Sequence, residues 1–244
     1  MRTSNPGIEV VAFDGDDTLW HSESHFVDAH ERYCTLLAPY VNGEAALLDD
    51  QVIATEGANL ELYGYGVKAF TLSLIETAID VTGGRVTSSE IATILELGKG
   101  LLNHPIELLD GVPEVVDELG AAGDLRLIVV TKGDLFHQEA KLAGSGLADR
   151  FSRVEIVSEK DVPTYRRILT ELDVAPDRFL MIGNSVRSDV LPVVELGGHA
   201  VHLPYTYTWA HEEVTGADGR THGYHELGSI RELPSLVERL SNGA

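Results

Sequence analysis

Three carboxylates fall within four positions, at Asp14, Asp16 and Asp17, directly after an apolar run from Ile8 to Phe13 that only Glu9 interrupts. Like charges this close are unfavourable unless a cation, a hydrogen-bond network or solvent offsets them. In an extended segment residues two apart point the same way, so Asp14 and Asp16 can address one pocket, and Gly15 between them lets a ligand approach the backbone. The spacing suits two-carboxylate chemistry. One ionised group attacks as a nucleophile, while the other, partly protonated, donates to a leaving group and later activates water. Taken alone, the same residues read equally well as the caps of a turn, where Asp and Gly are common.

Three further clusters follow apolar runs. Thr131, Lys132 and Gly133 come after Leu125 to Val130 and offer a hydroxyl and backbone N–H groups ahead of a helix start, an arrangement that holds anions. Lys160 comes shortly after Val154 to Val157 and enters a helix. Phe179 to Ile182 leads into Gly183-Asn184-Ser185-Val186-Arg187-Ser188-Asp189, rich in oxygen ligands. Singly, these residues read as a cap, a solvated lysine, a turn residue and a helix-surface charge. Their joint placement, each at the end of an apolar run, is what sets them apart.

The runs themselves suit strands buried on both faces of a parallel sheet. Helical patterns alternate with them: a helix with Pro113 in its first turn running to the Gly120 to Gly123 region, then Asp134 to Ala143, Val162 to Leu172 and Ser188 to Leu196. Ala200 to Leu203 reads as the final strand. Strict alternation implies parallel strands joined by right-handed crossovers, and the strand from Ile8 must join that sheet to satisfy its backbone groups. Ligands of such sheets bind beyond the carboxyl ends of the strands, where all four clusters fall.

Between residues 21 and 104 no strand pattern occurs. Phe26 to Val41 reads as one amphipathic helix stopped by Asn42-Gly43. Val67, Phe70, Leu74, Ala78 and Val81 mark a second helix, stopped by Gly83-Gly84, and Ile91, Leu95, Gly98 and Leu102 a third, opened by Thr87-Ser88-Ser89. The expected organisation is an α/β core of residues 1–20 and 105–244 with an all-helical insertion, 21–104. Tyr63, Tyr65 and Lys68 in YGYGVK are candidates for a loop that closes over a substrate.

The chain of 244 residues is 43% hydrophobic and carries a formal net charge of −21. That charge argues against nucleic-acid or anionic-membrane partners, although a bound cation can reverse the potential inside one pocket. Cys34 is the only cysteine, so an intrachain disulfide and a thiolate zinc cluster are excluded, and the residue is expected to pack within its helix. The histidines have no metal-ligand spacing such as HExxH. The aromatic stretch Tyr205-Thr206-Tyr207-Thr208-Trp209 with His211 reads as a packed loop. No targeting or bilayer-spanning run is present, so the cytoplasm is the expected location.

The pattern resembles the haloacid dehalogenase (HAD) superfamily of phosphohydrolases over the whole chain, most specifically at Asp14-Gly15-Asp16-Asp17-Thr18-Leu19. The resemblance implies a Rossmann-like parallel sheet with a helical cap of the first type, and a Mg²⁺-dependent phosphomonoester hydrolase acting on a small phosphorylated metabolite. Asp14 then corresponds to the nucleophile that becomes an aspartyl phosphate. Asp16 corresponds to the general acid/base, its carbonyl also reaching Mg²⁺. Gly15, Thr131, Lys132 and Lys160 correspond to phosphate-binding positions, with Thr131 and Lys160 also catalytic. Asn184 and Asp189 complete the metal site. Hard oxygen ligands favour Mg²⁺ over zinc.

The chain departs from the family pattern twice. Asp17 stands where Gly is frequent, in a turn whose left-handed backbone Asp tolerates. Asn184 stands where an aspartate commonly ligates the metal, which leaves more of the charge to Asp14 and Asp189. A dehalogenase, a phosphomutase and a non-catalytic phosphate-binding regulatory module are the alternative readings. Asp16 argues against the first and the complete Asp14, Asp16, Thr131 and Lys160 set against the last.

Overall fold

The computed structural model describes residues 7–41, 45–207, 209, 212 and 223–242. Thr208, His211 and the expected Asn42-Gly43 helix stop lie outside them. The chain divides into two units. The first comprises Met1–His21, Ile106–Thr131 and Glu139–Ala244, the second Ser22–Pro105 and Lys132–Gln138.

The first unit is built on a six-stranded sheet, β1 (Val10–Phe13), β2 (Arg126–Lys132), β3 (Arg153–Val157), β4 (Phe179–Gly183), β5 (His199–His202) and β6 (His225–Glu226). Its strand order is β3-β2-β1-β4-β5-β6. β1 pairs parallel with β2 and β4, in the registers Phe13 with Val129 and Phe13 with Ile182. The alternation of side chains explains why β1 and the central residues of β2 and β4 are apolar on both faces. Val11, Phe13, Val129 and Ile182 pack on one face against Val112 and Val116 of α5 (Val112–Ala121) and Leu233 and Leu236 of α9 (Leu233–Asn242). Val10, Ala12, Ile128 and Met181 pack on the other, against Tyr165, Ile168 and Leu169 of α7 (Val162–Leu172). The strand order reverses direction at β1, which places a crevice at the carboxyl ends of β1 and β4.

Two sequence expectations are corrected here. β5 is not the last strand, because β6 pairs parallel with it. A two-residue strand of His and Glu carries no apolar run by which it could be recognised. The helix expected from Ser188 to Leu196 is divided into one wide π-type turn, Val186–Val190, and the short α8 (Leu191–Glu195). A wide turn of this kind is a common accompaniment of functional sites.

In the second unit, α1 (Glu23–Leu37), α2 (Ala45–Tyr63), α3 (Val67–Thr82) and α4 (Ser88–Leu102) share a core of Tyr33, Leu37, Leu48, Val52, Leu74 and Ile94. α1 gives way to a 3-10 turn, Ala38–Tyr40, where Pro39 withholds a backbone donor. α3 ends at Gly83, whose φ of 60° is the left-handed cap conformation. At the start of α4, Thr87 accepts from the Glu90 N–H at 3.2 Å while Glu90 accepts from the Thr87 N–H at 2.7 Å, a complete capping box. α2 had no counterpart among the expected helices. Its inward positions include the polar Asn59, whereas Leu47, Ile53 and Leu62 face outward, so its apolar residues form no single stripe. No helix among the described residues is long and apolar enough to cross a membrane.

Candidate active site

Where β1 stops, the chain turns sharply. The Gly15 carbonyl accepts from Leu19 N–H at 2.8 Å, the Trp20 carbonyl accepts from Asp17 N–H at 2.7 Å, and Asp17 takes the left-handed conformation at φ 61°. The non-glycine residue at this position is thus accommodated as its type permits. Gly15 is required by close approach. A Cβ there would lie 2.9 Å from the Trp20 ring and 3.2 Å from the Thr131 hydroxyl, so the end of β2 is pressed directly against the turn.

This turn delivers Asp14 into the protein, only 6% exposed. Thr18 donates its hydroxyl to one carboxylate oxygen at 3.1 Å, and the Lys160 ammonium donates to the other. Lys160 also donates to Asp189 at 2.6 Å. It reaches both from the turn ahead of α7, which is fixed by the Asp161 side chain capping the Thr164 N–H at 2.9 Å and by Pro163 in the first turn. Asp189 is aimed by its own loop, whose Ser185 N–H donates to its second oxygen at 3.0 Å. Gly183 makes room for it, since a Cβ at that position would fall 2.1 Å from the carboxylate. Three residues separated by up to 175 positions therefore meet as one buried cluster of two carboxylates and one ammonium.

The electrostatics follow from burial. Desolvation pushes the Asp14 carboxyl up to about 7; Lys160 opposes the rise, and Asp189 and Asp16 add to it. Burial also works against the Lys160 charge, but the Asp14 and Asp189 carboxylates outweigh it and hold the lysine above its ordinary value. The Tyr165 phenol, donating to the Ser188 carbonyl at 3.1 Å, is raised well above its usual range by burial and then by the neighbouring carboxylates. A buried cluster whose negative charge outnumbers its positive charge favours a further cation.

Asp16 is set differently. Its side chain is about one third exposed, at 32%, and one oxygen accepts from both the Trp20 indole N–H and the Lys141 ammonium, each at 2.6 Å. Thr131 is buried at the end of β2. Asn184 follows Gly183 and is half-buried. Lys132 groups with the second unit, its ammonium 4.2 Å from the centre of the Tyr65 ring. In the same unit Lys68 donates to both oxygens of Asp134 at 2.9 Å, and Gly66 lies close to the Asp134 backbone. The YGYGVK segment therefore packs on the residues that follow β2.

A family model described as haloacid dehalogenase-like hydrolase matches residues 8–197. The chain belongs to this family. Among solved structures it is similar to a haloacid dehalogenase-like family hydrolase from Xanthomonas campestris, with 41% identity and a TM-score of 0.85, covering 99% of this chain and 95% of that one. A HAD-hydrolase from Bacillus subtilis bound to magnesium is 15% identical with a TM-score of 0.64, covering 95% of this chain and 99% of the other. L-2-haloacid dehalogenase from Xanthobacter autotrophicus, with chloropropionic acid covalently bound, is 17% identical at a TM-score of 0.64, over 95% and 98%. At those identities the last two resemble this chain in fold alone. Among curated proteins, none matches the chain.

The chain has the parallel-sheet core of a HAD-like hydrolase, and the structure adds groups around the strand ends that sequence reasoning did not single out. Lys141 and Trp20 hold Asp16, the lysine arriving from α6 (Leu135–Gly144), 125 positions away. Glu212 accepts hydroxyl hydrogen bonds from Ser185 and, at 2.6 Å, from Ser188. It thereby braces the loop that aims Asp189. Neither lysine nor glutamate stands beside a motif, so no local signal marks them.

Proposed function

We propose that the protein is a Mg²⁺-dependent phosphomonoester hydrolase that transfers the phosphoryl group of a small cytoplasmic metabolite to Asp14 and then to water. The observation that carries this reading is the second carboxylate, Asp16, held ready by Trp20 and Lys141 two residues beyond a buried nucleophile. Displacement of a halide from carbon needs no proton donor at that position, whereas an alkoxide leaving from phosphorus does.

In this reading one Asp14 oxygen attacks phosphorus while Lys160 and the Thr131 hydroxyl stabilise charge on the phosphoryl oxygens, with Gly15 and Lys132 assigned to the same phosphate. Asp16 delivers a proton to the departing oxygen and later takes one from the water that attacks the aspartyl phosphate, releasing inorganic phosphate and restoring Asp14. The donor set suits Mg²⁺. Asp14, the Asp16 carbonyl, Asn184 and Asp189 supply only oxygen, and the Asp14 and Asp189 carboxylates share the single Lys160 ammonium. When bound, the ion neutralises nucleophile and phosphate. The helical insertion, residues 21–104, is assigned as the specificity-determining cap.

The test is a panel of phosphorylated metabolites assayed with Mg²⁺ and with a chelator, run beside 2-chloropropionate. Phosphate release that depends on Mg²⁺, with no chloride release, is the expected result. Chloride release without phosphate release overturns the proposal in favour of a dehalogenase.

A further inference from the structure

Within the second unit, one face of α1 carries His30 and Cys34, four residues apart and therefore one turn above each other. Across from them stands Asp49 of α2. His30 Nε2 lies 2.7 Å from Asp49 Oδ1 and 3.4 Å from Cys34 Sγ, and Sγ lies 3.6 Å from the same Asp49 oxygen. Three potential ligand atoms of three chemical kinds thus converge on one point. This revises the sequence reading, in which Cys34 only packs and the histidines lack metal-ligand spacing, because the third member comes from a helix that the apolar pattern did not disclose.

Two functions fit a Cys, a His and an Asp at such distances, and the atoms distinguish them. A nucleophilic triad uses both imidazole nitrogens, one toward the thiol and the other toward the carboxylate. Here thiol and carboxylate both meet Nε2, so Asp49 cannot orient a ring that deprotonates Cys34 through its far nitrogen. A shared point is instead what a metal requires. With zinc bond lengths and tetrahedral angles, neighbouring ligand atoms stand about 3.3 Å apart for N and O and about 3.6 Å apart when one is sulfur. The two sulfur distances already match, and the N···O edge needs to open by only about half an ångström.

We propose that His30, Cys34 and Asp49 bind one divalent ion of the zinc class, which ties α1 to α2. A thiolate, an imidazole and a carboxylate make a borderline-soft set, selective against the hard Mg²⁺ that oxygen-only sites take. The half-exposed Asp49, at 52%, leaves an open side for entry and for a water as fourth ligand. Loading exchanges the Cys34 S–H bond for a metal–sulfur bond and places the remaining imidazole proton on Nδ1. One proton is released to solvent for each ion bound.

The experiment uses the full-length protein stripped of metal with a chelator and titrated with Co²⁺, then Zn²⁺. One thiolate-bound Co²⁺ per chain is expected, counted by a thiolate-to-cobalt charge-transfer band in the near ultraviolet that Zn²⁺ abolishes by displacement; Co²⁺ held by the oxygen ligands of the first unit gives no such band. Cys34→Ser removes the band; His30→Ala and Asp49→Ala each weaken binding by at least about tenfold, the low end of what even an outer partner of a metal contributes. Asp189→Asn leaves the band unchanged, which separates this site from the carboxylates of the first unit. Cobalt bound without a thiolate band, or a band of undiminished affinity in His30→Ala, overturns the proposal.

Discussion

The two units bury polar groups by opposite means. Every buried charged side chain among the described residues, Asp14, Asp17, Lys141, Lys160 and Asp189, belongs to the first unit. The second buries neutral groups and satisfies them locally. Asn59 donates to Ser73 at 3.1 Å and to Glu76 at 2.7 Å, Tyr33 donates to the Leu74 carbonyl at 3.0 Å, and Thr71 donates to the carbonyl one turn back at 2.7 Å. Buried neutral groups of this sort are held at small desolvation cost, whereas a buried ion costs several kcal/mol unless paired. Among the described residues charge is therefore held out of water in the first unit alone. The difference separates a unit built around buried charge from one built around buried neutral groups.

The largest effect expected from this contrast is catalytic. Asp16→Asn keeps an acceptor for Trp20 and Lys141 but removes the transferable proton, so hydrolysis of alkyl phosphates should fall by about 10²–10⁴. Aryl phosphates, whose leaving groups depart unaided, should lose far less. An equal loss on both substrates would mean that the Asp16 carboxylate only shapes the site, and the contrast between units would reduce to stability.

Next in size is Lys160→Met, which leaves the Asp14 and Asp189 carboxylates buried face to face. It should destabilise the first unit by about 3–5 kcal/mol in urea unfolding. By comparison Lys99→Ala breaks an ion pair whose side chains are 62% and 69% exposed, and the midpoint should not move. If the two variants unfold alike, buried charge is not what distinguishes the first unit.

The third prediction is a pH dependence. The folded-state pKa of Asp14, about 7, lies above its unfolded value, so its contribution to stability is fully present below about pH 4 and is lost as pH rises through 7. Asp14→Asn has no such titration. In Mg²⁺-free urea unfolding the variant should gain on the parent by on the order of a few kcal/mol between pH 4 and 8, and Mg²⁺ should diminish that gain. A difference that stays flat with pH would show that Asp14 is not destabilised by burial.

The smallest effect belongs to the second unit. Asn59→Ala strands the buried Ser73 hydroxyl at a cost of about 1–3 kcal/mol and leaves turnover chemistry unchanged once the substrate is saturating. A loss comparable to that of Lys160→Met would erase the distinction.

What the sequence disclosed follows the same division. Asp14, Lys160 and Asp189 were legible because parallel strands announce themselves as apolar runs and fix where their ends lie, so residues far apart in the chain can be read together. Lys141 and Glu212 were not, since a lysine within a helix and a glutamate in a loop acquire meaning only when the tertiary fold brings them to Asp16 and Ser185. α7 occupies the expected Val162 to Leu172, whereas α2 lacks a regular stripe because Asn59 takes an inward position that an apolar residue usually fills. Convergence of His30, Cys34 and Asp49 required knowing that second helix.

The central claim is that Asp14 itself accepts the phosphoryl group. The most direct measurement mixes the protein with 4-nitrophenyl phosphate and Mg²⁺, quenches with acid during turnover, and locates any added phosphoryl mass by peptide mapping. The account predicts that mass on the peptide bearing Asp14 in the parent protein, and neither label nor turnover in Asp14→Asn. Nitrophenol release that continues in Asp14→Asn, or turnover of the parent with the phosphoryl group on another residue, would contradict it.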